Sequence, residues 1–425
     1  MRRTIKAGAA IAGLALVLSA CSSGSTTTTT TTGAAGTQAG AGASSAPPAA
    51  AGSLLIWADE RRAVPLTALA NTWGKENGVA VTVTQVNFEG MKDTYVKQAP
   101  AGQGPDIMLG ANDWAGELVA SGLVAPVQLG SNTDNFEKVA IDAFTLDGNT
   151  YGVPIAIENI ALFRNPDLAP EAPTSIENMA ATGLALQTAG KTQFPIGVQV
   201  GAKGDAYHAY PFYSAAGAYF FGQDAAGAYD PAMLGVGDPA SLEFAKRWGQ
   251  LGAQGAIKST FEGGNILDAF QTGKAPYFVT GPWNVPAIEE SGVKFVVEPL
   301  PGWEGVAETP VPIVGSQGFY LNSKSTNQTV AQAFLNATMN TEFMDSMFKA
   351  DPRPPAWKES ATAAAADPVI KAFGEFGAGG FPNLPIPQIQ PVYEELGLAQ
   401  ARILDGADPA ATMEAARVAI EARNK

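Results

Sequence analysis

The chain is poor in the residues that build disulfides, metal sites and acid–base machinery. Its 425 residues include one cysteine, Cys21, and one histidine, His208. From Leu54 onward there is no thiol, which excludes disulfides and thiolate metal sites from that stretch. A single histidine excludes His-rich metal motifs and leaves a Ser-His-Asp arrangement hanging on His208 alone. Positive charge is scarce too. With 26 Lys and Arg against 40 Asp and Glu the formal charge is -14, and no basic cluster is present to neutralise phosphates. No nucleic-acid partner is expected, and a ligand should be neutral or cationic. After Leu18 no apolar run approaches the roughly 20 residues that span a bilayer. Ala185 to Thr192 ends in Gly-Lys-Thr but has Ala185 where a phosphate loop needs its first glycine, and no Gly-x-Ser-x-Gly elbow occurs. No internal repeat emerges, and no cofactor or metal is expected. Carboxylates are the chemistry that remains, so a hydrolase working through a carboxylate pair stays open.

The first residues read as an address. Arg2, Arg3 and Lys6 form a basic front, Ala7 to Leu18 an apolar run and Leu18-Ser19-Ala20 a small-residue exit, so residues 1–20 are a signal peptide. Leu-Ser-Ala-Cys21 resembles the bacterial lipobox, which implies acylation of Cys21 and export to the outer face of the cytoplasmic membrane. An ordinary signal peptide with an incidental cysteine is the alternative. Residues 21–52 are almost wholly Ser, Thr, Gly, Ala and Pro, too poor in apolar side chains to bury a core, and read as a flexible tether.

The stretch from Leu54 to Lys425 exceeds the size at which single cores stop growing, about 250–300 residues, so two lobes are expected. Ser53-Leu-Leu-Ile-Trp57, helical spacing at Leu66, Leu69 and Trp73, and Val79 to Thr84 form a β-α-β opening. Glu89 to Gln98 is amphipathic, and Gly104-Pro105 stops it before a strand at Ile107 to Leu109. Helical spacing returns from Ser241 to Leu251, and two more helices lie between Pro391 and Ala422. The fold class is therefore α/β, with mostly parallel sheets flanked by helices. Ligands of such sheets sit beyond the carboxyl ends of the strands, which directs attention to Asp59–Arg62 and Asn112–Trp114.

Several stretches in order resemble the extracellular sugar-binding proteins of bacterial ABC importers, above all their maltose and maltodextrin branch. They are Gly104-Pro-Asp-Ile107, Asp113 to Leu123, Tyr151 to Glu158, Ala269 to Lys274, Gly281-Pro-Trp-Asn284 and Pro382-Asn-Leu-Pro385. The resemblance implies a monomer of two lobes joined by three crossing segments, near Ala156, Leu300–Gly302 and Met339. Lobe 1 would then hold residues 53–156 and 302–338, and lobe 2 residues 157–301 and 339–425. It implies an oligosaccharide ligand held in the cleft, ABC permease subunits as partners, and no catalysis. A receptor for another solute and a surface adhesin are the competing classes.

Sugar sites need flat aromatic faces against C–H faces, and charged acceptors for hydroxyls. The resemblance places such roles on Asp113, Glu158, Trp283 and, more loosely, the acid-x-Tyr pair Asp205 and Tyr207. Tyr393 comes into register only with a two-residue insertion; otherwise Pro391 takes its place. Each has a structural alternative: a helix-terminal charge for Asp113, a backbone-bonded acid for Glu158, a core tryptophan for Trp283. Two departures from the maltose branch stand out. Gly110 and Trp114 replace its Trp and Arg, exchanging a polar arm for an aromatic one and making Trp114 a contact. Asp59 to Arg62 replaces its Asp-Lys pair, giving Asp59 and Arg62 as contacts or, alternatively, an exposed charge cluster.

Overall fold

The computed structural model describes residues 52–425, so the signal peptide, Cys21 and all of the tether but its last residue lie outside the described residues. The opening β-α-β is β1 (Gly52–Ala58), α1 (Ala63–Asn77) and β2 (Val79–Gln85), followed by α2 (Phe88–Gln98) and β3 (Ile107–Ala111). Period-2 alternation divides β1 between two cores. Leu54, Ile56 and Ala58 face one that includes α1, while Trp57 faces another with Met91 and Tyr95 of α2. Turn and helix α3 (Ala115–Ala120) come next, then β4 (Val124–Ala125) and β5 (Gly152–Glu158).

The second sheet is built from β6 (Ala161–Arg164), β7 (Gly197–Val198), β8 (Tyr277–Thr280) and β9 (Val296–Glu298) in the order β9-β6-β8-β7. Its core includes α4 (Pro239–Gln254), whose sequence specifies both ends. The Asp238 side chain accepts from the Ser241 amide at 2.8 Å, Pro239 opens the first turn, and Gly255 closes the helix at φ 76°. Trp248 on its buried face stacks on Phe244 at 5.5 Å and donates its indole N–H to the Gln400 carbonyl.

The chain then returns through β10 (Ile313–Asn322), buried along its whole length, to the first sheet. That sheet runs β11-β10-β3-β1-β2, with β11 (Phe381–Pro382) beside the start of β10, and β4 and β5 also pairing with β10. β1, β2 and β3 are parallel, whereas β10 runs antiparallel to β3, β4 and β5. The second sheet mixes the two senses as well, since only β7 and β8 are parallel. Parallel pairing holds through the β-α-β opening and recurs where β11 joins β10, while the other partners of β10 are antiparallel.

The lobes exchange chain later than expected at two of the three crossings. Trp303 remains with the second core and donates to the Phe212 carbonyl at 2.8 Å, so the change of lobe falls at the start of β10 rather than at Leu300–Gly302. Helix α5 (Gln328–Thr338) lies on the first lobe, and so, beyond Met339, does α6 (Thr341–Ala350), whose Phe343, Met344 and Met347 fill its core. The C-terminal pair α7 (Ile389–Leu404) and α8 (Pro409–Arg423) packs on α4. These late crossings follow from where the apolar faces find a partner.

Trp248→Ala should cost about 3–5 kcal/mol, the usual loss for emptying a large aromatic site. Denaturant unfolding followed by circular dichroism checks it.

Candidate functional site

A cleft of about 950 Å³ separates the two sheets, lined by residues that follow strands of both lobes. That volume lies at the upper end of the range for small-molecule sites, about 300–1,000 Å³.

Its floor is a chain of buried ion pairs. Asp59, just past β1, accepts from the amides of Arg61 and Arg62 and from Arg62 Nε at 2.6 Å. Arg62 continues to Gln317 Oε1 at 2.9 Å, and Gln317 Nε2 donates to Glu158 Oε1 at 2.8 Å. Arg353 donates to the other oxygen of Glu158 and lies 2.9 Å from Asp351 Oδ2, close enough for ion pairing but poorly aligned for a hydrogen bond. Burial by itself would raise the Asp59 carboxyl, but the charge and hydrogen bond of Arg62, helped by Arg353, hold it below its ordinary value. A depressed carboxylate contributes stability above its unfolded pKa, and that contribution is lost as pH falls through the folded value.

Asp113 sits in the 3-10 turn Asn112–Trp114. Asn112 fixes this turn by donating to the carbonyls of Ala143 and Asn383 and accepting from the Ser316 amide. Burial pushes the Asp113 carboxyl up, opposed by Gln390, which donates to Oδ2 at 2.9 Å, and by the charge of Lys92. Trp114 packs against Gly110: a Cβ there would come within 2.2 Å of its ring. Gly110 and Trp114 are therefore one feature, an aromatic platform that needs a bare backbone beneath it, extended by Phe88 at 5.1 Å. The second lobe repeats the device. Trp283 rests on Gly281, where a Cβ would meet its ring at 2.1 Å, and Tyr207 and His208 approach it at 6.5 and 5.8 Å.

Asp205 accepts from Gln199 and from both the amide and the ring Nδ1 of His208. Tyr207 lines the cleft, while its hydroxyl is buried and has no protein partner. Tyr393 donates to Asn383 Oδ1 at 2.7 Å.

Eight of the nine positions singled out in the sequence, all but Arg62, thus line one cleft. Arg62 is 1% exposed and sealed behind Asp59 and Gln317, because its charge is consumed by the ion-pair floor. Nor are Asp59 and Arg62 exposed charges, since Asp59 is also buried and only Glu60 and Arg61 between them are exposed. Sequence reasoning missed Arg61, Gln317, Arg353 and Gln390, all of which line the cleft. Gln317 had a signal, an amide in the middle of a mostly apolar strand. Arg353 had only Asp351-Pro-Arg353-Pro-Pro, a charged pair among prolines.

Residues 68–373 match the family described as bacterial extracellular solute-binding protein, and the chain belongs to that family. It is 24% identical over 377 residues to a galactooligosaccharide-binding protein of Bacillus subtilis, covering 85% of this chain and 87% of the relative. It is 27% identical over 298 residues to a maltooligosaccharide ABC transporter solute-binding lipoprotein of Streptococcus pneumoniae, covering 68% of each. Its fold matches the Thermus thermophilus maltotriose binding protein bound with maltotriose, with TM-score 0.79 and 25% identity, over 88% of this chain and 100% of that one.

Asp113→Asn should raise the melting temperature at pH 7, because a carboxyl raised by burial destabilises the fold once ionised, and removing the charge removes that loss. The gain should shrink as pH falls toward the unfolded pKa. Calorimetric scans of both proteins at several pH values check it.

Proposed function

We propose that the chain is the extracytoplasmic receptor of an ABC importer, capturing an oligosaccharide between its lobes and delivering it to permease subunits. The observation that carries this reading is the pairing of platforms: Trp114 from one lobe and Trp283 from the other, each lying on a glycine at the edge of the same cleft. Each ring offers apolar area at small entropic cost, and Asp113 beside them supplies a polar partner for sugar hydroxyls. Acidic side chains outnumber basic ones around the cleft, which suits a neutral polyol better than an anion. Relatives that bind galactooligosaccharides and maltooligosaccharides support the same substrate class.

Reception is favoured over hydrolysis by the state of the acids. A hydrolase needs a raised carboxyl facing an ionised, available one, whereas the carboxylates of Asp59 and Glu158 are engaged by Arg62 and Arg353. The protein acts as a monomer, exported and held by lipid on Cys21 to the outer face of the cytoplasmic membrane, with residues 21–52 as tether. Its lobes hinge at the crossings after β5, before β10 and beyond α6, so closing over ligand draws on contacts made only in the closed state.

A thermal-shift screen of maltotriose, maltotetraose and galactooligosaccharides should find a stabilising sugar; at 100 times Kd the gain is about 2.7 kcal/mol. Trp283→Ala should weaken that sugar about tenfold or more in calorimetric titration while the protein stays folded. No response to any saccharide, or unchanged affinity, would contradict the assignment. For the anchor, Cys21→Ser should abolish labelling by radioactive palmitate in growing cells and release the protein to the medium; undiminished labelling would place the lipid elsewhere.

A further inference from the structure

Trp283 belongs to the second lobe, yet two arginines of the first lobe hold it. Arg61, in the loop after β1, donates Nη1 to the Trp283 carbonyl at 2.6 Å and Nη2 to Asn284 Oδ1 at 3.1 Å. Arg353, from the segment after α6, places its guanidinium carbon 5.6 Å from the centroid of the Trp283 ring, within the range of a cation–π contact. Asn284 is itself fixed by donating to Thr280 Oγ1 at 2.9 Å, so the fork of Arg61 meets a prearranged acceptor. A second bridge runs through Gln390, which donates to Asp113 and accepts from Lys92. The contacts of Arg61, Arg353 and Gln390 join one lobe to the other, and parting the lobes would break them.

We propose that Arg61 is a positioning residue, a latch whose bond to the Trp283 backbone makes closure of the cleft and placement of the stacking ring a single event. The latch rests on the oligosaccharide-receptor reading for its effect on ligand, but not for its effect on the lobes. Arg61 has no need to touch sugar. Its guanidinium spans a carbonyl and an amide oxygen at once, a geometry that a single ammonium head cannot reproduce. Because the bonds exist only in the closed state, their loss speeds release and leaves encounter with the open cleft unchanged.

The test has two arms, both with the full chain carrying Cys21→Ser. In the first, stopped-flow tryptophan fluorescence follows binding of whichever of maltotriose, maltotetraose or galactooligosaccharide gives the largest thermal shift. Arg61→Ala should raise the dissociation rate about tenfold, with the association rate within about twofold. Arg61→Lys should fall between the two proteins. In the second arm, spin labels on the cysteines of Lys75→Cys and Lys246→Cys report the distance between lobes without sugar. Arg61→Ala should shift that distribution to longer distances. An unchanged dissociation rate, or a change carried equally by association, overturns the latch. So does an unchanged distance distribution. If no sugar binds the Arg61-containing protein while the distance still responds to Arg61→Ala, the sugar reading fails and the latch stands.

Discussion

The floor of the cleft depends on one buried charge network, Asp59–Arg62–Gln317–Glu158–Arg353 with Asp351 at its end. It joins the loop after β1 and the segment after α6 to the end of β5 and the middle of β10, which the sheet already pairs with each other. Ionic groups this deep cost several kcal/mol each to dehydrate, so the network is no simple source of stability. What it supplies is position: each charge is satisfied only when its neighbours are in place, and removing one partner leaves another buried and unpaired. Arg62 Nη1 already lacks a partner, which shows how little slack the arrangement has.

On that floor stand two aromatic platforms made by the same local device. A strand ends, a glycine exposes bare backbone, and a tryptophan two or four residues later folds its ring back over it. Gly281 with Trp283 and Gly110 with Trp114 are the two cases, one per lobe. The first lobe carries the network, and the network carries Arg353 beneath the Trp283 ring. Packing, charge and stacking are in this way parts of one structure, and the cleft is complete only with both lobes in contact.

Much of this was legible in the sequence because it is local. The β-α-β opening, the strand at Ile107, the helix around Trp248 and the C-terminal helix pair follow from apolar periodicity and from caps such as Asp238 and Gly255. Trp283 was legible through the family resemblance of Gly281-Pro-Trp-Asn284, which follows a short apolar strand. Arg353 was not, since its partner Glu158 lies 195 residues away and no periodicity links them. The role of Arg62 was misread for the same reason: a charged residue after a strand looks like a ligand contact until Gln317, 255 residues on, is seen to claim it. The crossing points came out too early because Trp303 and Met344 carry no mark of which lobe's core they join.

The most direct test of an oligosaccharide receptor is a crystal structure of the protein with the best saccharide of the screen. The account predicts one sugar chain between the lobes, with rings on the faces of Trp114 and Trp283 and a hydroxyl donating to Asp113. A saccharide bound outside the cleft, or one found cleaved beside Glu158, would contradict it.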